Sequence, residues 1–118
     1  MTVEEFFELV IGTEINNKKR EEIEKIYETS FDEYINKIIS IAEESIFIDK
    51  EKRLISYVEI KNASEEYGVD FISKQILPLF DCYDNDFIVY CYDKKIWALY
   101  NIIDDVLYDE EKSLEKLL

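Results

Sequence analysis

The chain contains no histidine, and that absence removes Ser-His-Asp and Cys-His catalysis, imidazole proton transfer and the usual zinc ligand sets. Its 2 cysteines, Cys82 and Cys91, are too few for a closed zinc site or a disulfide framework. A tight hairpin through residues 83–85 would set Cys91 opposite about Leu77 rather than Cys82, so both read as free thiols of a reducing cytoplasm. Glycine is confined to Gly12 and Gly68, which excludes a phosphate-cradling P-loop and a dinucleotide fingerprint. With 1 proline and no low-complexity tract or internal repeat, a single domain over residues 1–118 is expected. No window approaches the roughly 18 apolar residues of a membrane span. The opening MTVEEFFELVIG lacks the basic start and small-residue cleavage site of a signal peptide. A cytoplasmic location is the expectation.

What is abundant is acid. Against 14 Lys and Arg stand 28 Asp and Glu, for a formal charge of −14. Nucleic acid and anionic membrane surfaces are therefore disfavoured, and a basic partner is favoured. The excess is uneven: Asp81, Asp84, Asp86, Asp93, Asp104, Asp105, Asp109, Glu110 and Glu111 face only Lys94 and Lys95 in the same stretch, which holds half of the net charge.

The N-terminal half has helical periodicity. Thr2 with Glu5, Ser30 with Glu33 and Ser56 with Glu59 have capping-box spacing, in which hydroxyl and carboxylate each satisfy a backbone N–H at a helix start. Val3, Phe6, Phe7, Val10 and Ile11 fall on one helical face, as do Phe31, Tyr34, Ile35, Ile38, Ile39 and Ala42. A weaker helix between them buries Ile23, Ile26 and Tyr27. SIFID and RLIS flank a polar turn and read as a short hairpin. A helix from Ser56 to about Tyr67 follows and closes at Gly68.

Residues 76–101, ILPLFDCYDNDFIVYCYDKKIWALYN, alternate between two acidic turns and read as a three-stranded antiparallel meander. Pro78 lacks a ladder donor, which predicts an edge position or a nitrogen turned outward. The second hairpin pairs Tyr90 with Trp97 and Ile88 with Leu99. Both faces of this sheet are apolar. Phe87, Val89 and Cys91 are assigned to the face under the helices, leaving the Tyr90 and Trp97 side as a binding surface or as a second core layer beneath a terminal helix over residues 110–118.

Carboxylate chemistry is what the composition leaves. Asp81, Asp84 and Asp86 in DCYDND could offer oxygens to a hard cation, but the glycine and distal glutamate of a calcium loop are missing. A turn with Asp84 and Asn85 in special backbone angles is preferred. No catalytic residue, metal or cofactor is assigned, and the chain is not expected to be an enzyme.

The run ILPLFDCYDNDFIVYCYDKKIWALYNIIDDV, preceded by RLISYVEIKNASEEYG and followed by EEKSLEKLL, resembles the C-terminal half of the SUKH superfamily. That group includes the fungal cell-wall assembly regulator and many bacterial immunity proteins. The resemblance covers roughly residues 46–118 and rests on Ser56, Glu59 and Ile60, on the strand Ile76 to Asp81, on Trp97, and on the terminal segment from Ser113 to Leu118. It lacks the family's proline and N-G loop, so the N-terminal half is matched by order of elements only. It implies an α+β fold: one domain, a twisted antiparallel sheet with helices packed mainly on one face, a helical N-terminal half and a C-terminal helix. It also implies a bacterial immunity protein that occludes a basic toxin domain, with a scaffold or regulatory domain of the same fold as the alternative. The contact residues on that reading are Asp81, Tyr83, Asp84, Asp86, Tyr90, Tyr92, Asp93 and Trp97, in a monomer or weak homodimer.

Overall fold

The computed structural model describes all 118 residues. Three helices come first: α1 (Val3–Ile11), α2 (Asn17–Tyr27) and α3 (Glu33–Ile41). Thr2 and Glu5 form the expected capping box of α1. At α3 the expected box does not form. Asp32, not Ser30, caps that helix, its carboxylate accepting from the Ile35 N–H at 2.9 Å, because a carboxylate at the boundary itself also meets the positive end of the helix dipole. Ile11, placed on the core stripe by periodicity, is 73% exposed.

The short hairpin is present as β1 (Ile46–Phe47) and β2 (Arg53–Leu54). The expected single helix after it is two, α4 (Tyr57–Lys61) and α5 (Ala63–Tyr67), broken at Asn62. Ser56 and Glu59 box the start of α4, and Gly68 (φ 66) ends α5. One further helical turn, α6 (Phe71–Lys74), leads into the meander of β3 (Ile76–Asp81), β4 (Asp86–Cys91), β5 (Ile96–Asn101) and β6 (Val106–Glu111). The fold is α+β, with all six strands in one antiparallel sheet in sequence order.

Ile88 lies opposite Leu99 and Tyr90 opposite Trp97, as the alternation predicts. Cys91 faces Ile76, one place from the expected Leu77, because the β3–β4 register shifts between Pro78 and Phe80. Pro78 does not lie in an edge strand: β3 has neighbours on both sides. It is tolerated because β2 pairs only with Phe80 and Asp81, and because the irregularity starts at Pro78 itself.

The C-terminal end differs most from expectation. Glu110 and Glu111, the first residues of the expected terminal helix, belong instead to β6, and the only helical part of residues 110–118 is a single 3-10 turn, Leu114–Lys116. The hairpin is possible because Asp105 takes φ 54 at the turn, while Asp109 takes φ 51 where the β5–β6 register shifts. Acidic residues have low strand propensity, and pairing with β5 overrides it.

Both sheet faces are covered. On one, Phe80 of β3 meets Phe6 of α1 edge-on at 5.6 Å between ring centroids, and Tyr90 and Trp97 lie beside the α1 residue Phe7 and the buried Leu114. On the other, Tyr67 of α5 packs on Phe87 at 4.7 Å and Phe71 of α6 on Tyr100 at 6.1 Å. The longer helix α1 thus takes the Tyr90 and Trp97 face, and the two shorter ones take the face of Phe87 and Tyr100.

Phe6 and Phe80 are both fully buried, so Phe80→Ala is expected to cost about 3–5 kcal/mol in urea denaturation. Glu28 ends α2 at φ 57 and is exposed. Relief of left-handed strain outweighs the added unfolded-state entropy of glycine there, so Glu28→Gly is expected to raise stability by about 0.5–1 kcal/mol in the same measurement.

Candidate binding surface

Antiparallel order puts alternate turns at one end of the sheet. The β3–β4 turn (residues 82–85) and the β5–β6 turn (residues 102–105) therefore lie together, since Asp86 opens β4 directly opposite Asn101, which closes β5. The two turns are joined: Ile102 N–H donates to the Asn85 carbonyl at 2.9 Å and Asn101 Nδ2 to Asp86 Oδ1 at 3.0 Å. Tyr83, Asp84 and Asn85 all have positive φ (63, 51 and 67), one residue more than the two expected. The Tyr83 N–H donates to Asp81 Oδ1 at 2.9 Å, and Asn101 Oδ1 accepts from the N–H groups of Ile103 and Asp104.

This end carries Asp81, Asp84, Asp86, Asp104 and Asp105, and between them two apolar side chains stand in solvent: Ile103, 71% exposed, and Tyr83, 43% exposed. Three of the aspartates are engaged. Asp105 accepts from Lys74 at 2.8 Å and from the Tyr100 hydroxyl at 2.5 Å, and these partners lower its pKa. Asp86 holds Asn101, and burial first and Asp86 second push the Tyr108 hydroxyl up to about 12.

Asp81 belongs to a cross-linked cluster. The Arg53 guanidinium donates to Glu59 at 2.7 and 3.0 Å and to Asp81 at 3.2 Å, while the Tyr67 hydroxyl donates to Glu59 at 2.9 Å. Arg53 on β2 thus ties α4 to β3, and Glu59 extends the link to α5 through Tyr67. Burial alone would raise the Glu59 carboxyl, but the hydrogen bonds from Arg53, the Ser56 N–H and Tyr67 overcome it and hold the group at about 2. With Asp81 turned to Arg53 and Asp86 to Asn101, the DCYDND carboxylates do not converge on a common point, and no group of three or more His, Cys, Asp or Glu is arranged to hold a metal.

The residues expected to form one surface are split. Asp81, Tyr83, Asp84 and Asp86 share the end just described. Asp93 lies in the β4–β5 turn at the opposite end, roughly 20 Å away along a strand of this length. Tyr90 and Trp97 are 7% and 4% exposed, their rings packed on each other at 5.1 Å with a 54° tilt. They cannot act as exposed anchors, because the apolar face that holds them is the one α1 covers; their outer edges only floor a groove of about 490 Å³ that Asp32, Lys95, Lys112 and Glu115 also line. Tyr92 is half-buried against Phe31, its hydroxyl 3.4 Å from the carbonyls of both Tyr27 and Ile72, either of which can accept its one proton.

The residues of this end that sequence reasoning did not place beside Asp81–Asp86 are Ile103, Asp104 and Asp105. Their signal was present as Asn-Ile-Ile-Asp-Asp, a run with turn formers at both ends, but a strand after it was not anticipated. Both cysteines are free, and burial pushes each thiol up to about 11. Comparison of the chain with protein-family models, with curated proteins and with solved structures gives no match.

Trp97 is the only tryptophan, so its emission is expected to be blue-shifted and resistant to iodide; ready quenching would reverse its assignment to the interior. Glu59 supplies a pH test. Its folded pKa lies below the ordinary 4.5, so its contribution to stability is complete above that value and is lost as pH falls toward about 2. The stability gap between wild type and Glu59→Gln is expected to shrink from pH 5 to pH 2 in denaturant titrations.

Proposed function

We propose that this chain is a non-catalytic immunity protein that neutralises a basic toxin domain by covering it. The observation that supports this most directly is the turn end of the sheet, where five aspartates surround the exposed Tyr83 and Ile103. Negative charge at a rim accelerates encounter with a basic cleft, and apolar side chains within the rim provide the contact that persists once water is excluded. The net charge of −14 acts in the same direction at longer range.

The SUKH resemblance supplies the biological class, and the observed order of helices followed by an antiparallel meander suits the fold it implies. The contact set is now Tyr83, Asp84, Ile103 and Asp104, joined by the partly engaged Asp81, Asp86 and Asp105. Tyr90, Tyr92 and Trp97 leave it because they are packed, and Asp93 because it lies at the other end.

Co-expression with the product of the adjacent reading frame is expected to yield a stable complex and, where that product is toxic, to protect cells. The association rate is expected to fall by about tenfold or more as salt is raised. Asp84→Lys with Asp104→Lys is expected to slow association further at low salt while leaving the circular dichroism spectrum unchanged. A salt-independent rate and full protection by the double variant would place the contact elsewhere.

A further inference from the structure

The sheet has two edges, and they are not equivalent. At β1 only two residues are paired, and the chain's own N-terminal ammonium donates to the Phe47 carbonyl at 3.0 Å. At the other edge β6 runs for six residues with β5 as its single neighbour. None of its backbone groups bonds to a loop, a helix or a side chain. One row of its N–H and C=O groups therefore faces solvent. Val106 and Leu107 on this strand are 48% and 37% exposed, and the strand continues directly from the turn that carries Ile103.

Such an edge pairs with any extended chain unless something prevents it. Here the preventing features are selective. Asp109, Glu110 and Glu111 follow the apolar pair, and the register shift at Asp109 (φ 51) bends the strand. A second copy pairing antiparallel over the whole strand would set Asp109, Glu110 and Glu111 opposite Tyr108, Leu107 and Val106, leaving three apolar positions of each strand against carboxylates and bringing six acids onto one short seam between two chains of net charge −14. An extended segment that alternates apolar and basic residues meets the opposite condition. Its backbone completes the ladder along Val106, Leu107 and Tyr108, and its cations lie beside Asp109, Glu110 and Glu111.

We infer that the free edge of β6 is the docking edge, taking an extended basic segment of the partner as a seventh strand. This rests on the reading that the partner is basic, and it adds where and in what conformation that partner is held.

The test uses the full chain and an amidated eight-residue peptide of alternating lysine and valine, with a second peptide carrying proline at its centre and a third with glutamate in place of lysine. Amide hydrogen exchange followed by NMR at low salt is expected to show slowed exchange at alternate residues of Val106–Tyr108 with the first peptide only. Leu107→Lys, at an exposed position, is expected to keep the fold and to weaken binding of that peptide by about tenfold. Equal binding of the proline peptide, perturbation confined to residues 82–85 and 102–105, dimerisation through β6, or no binding at all would each overturn the strand addition. The immunity reading is decided separately, by the co-expression experiment above, because a toxin complex insensitive to Leu107→Lys would keep that reading and discard this one.

Discussion

A sheet that is apolar on both faces must be covered on both, and most of this molecule follows from that requirement. Phe80, Ile88, Tyr90 and Trp97 on one side and Phe87, Val89, Ala98 and Tyr100 on the other are all withdrawn from water. At about 25 cal/mol per Å² of apolar surface, leaving either side bare would forfeit a large part of the stability of a domain this small. The helices before the meander therefore divide, α1 to one face and α5 and α6 to the other. Arg53 holds the connection between them by bonding carboxylates from α4 and β3 at once. Once both faces are used, only the ends and one edge of the sheet remain to meet another molecule.

Strand pairing was the most legible part of the sequence. Period-two alternation around a four-residue turn leaves few registers that keep both faces apolar, and Tyr90–Trp97 with Ile88–Leu99 is the one observed. That the Tyr90 and Trp97 face would be covered as well as the Phe87 face was not legible, since an apolar face reads alike as a core layer and as a binding surface. The β6 strand was hidden for a different reason. VLYDEE carries three acids in six residues, and its pairing is determined by β5 rather than by its own propensity. The cap at α3 was misplaced by two residues because Ser30 and Asp32 are both good caps and only tertiary packing selects between them.

The acidity of the turn end has a conformational root. A chain with 2 glycines that needs many left-handed residues must fill them otherwise. Asp and Asn tolerate that region best after glycine, because a short polar side chain can bond the nearby backbone. Asp84, Asn85 and Asp105 meet this need in the two joined turns. Turn chemistry thus places negative charge where the antiparallel order places the turns, and the charge pattern is partly a product of the topology. Turn chemistry does not require Ile103 and Tyr83 to stand in solvent among those charges, so the exposed side chains, more than the acids, distinguish this end and support the proposed contact there.

Charge then does two things at the edge. An unpaired strand beside two exposed apolar residues would promote self-association in a neutral protein. On β6 the carboxylates oppose that encounter while leaving the ladder open to a chain of opposite sign, so a single feature both disfavours self-association and suits the proposed basic partner. Specificity of this kind requires no catalytic group, and a histidine-free chain can provide it. It does require that the backbone be held straight enough to pair, which β5 achieves through Tyr100 opposite Leu107 and Asn101 opposite Val106, with Tyr100 itself packed on Phe71. The edge is therefore positioned by the same buried aromatic contacts that close the core.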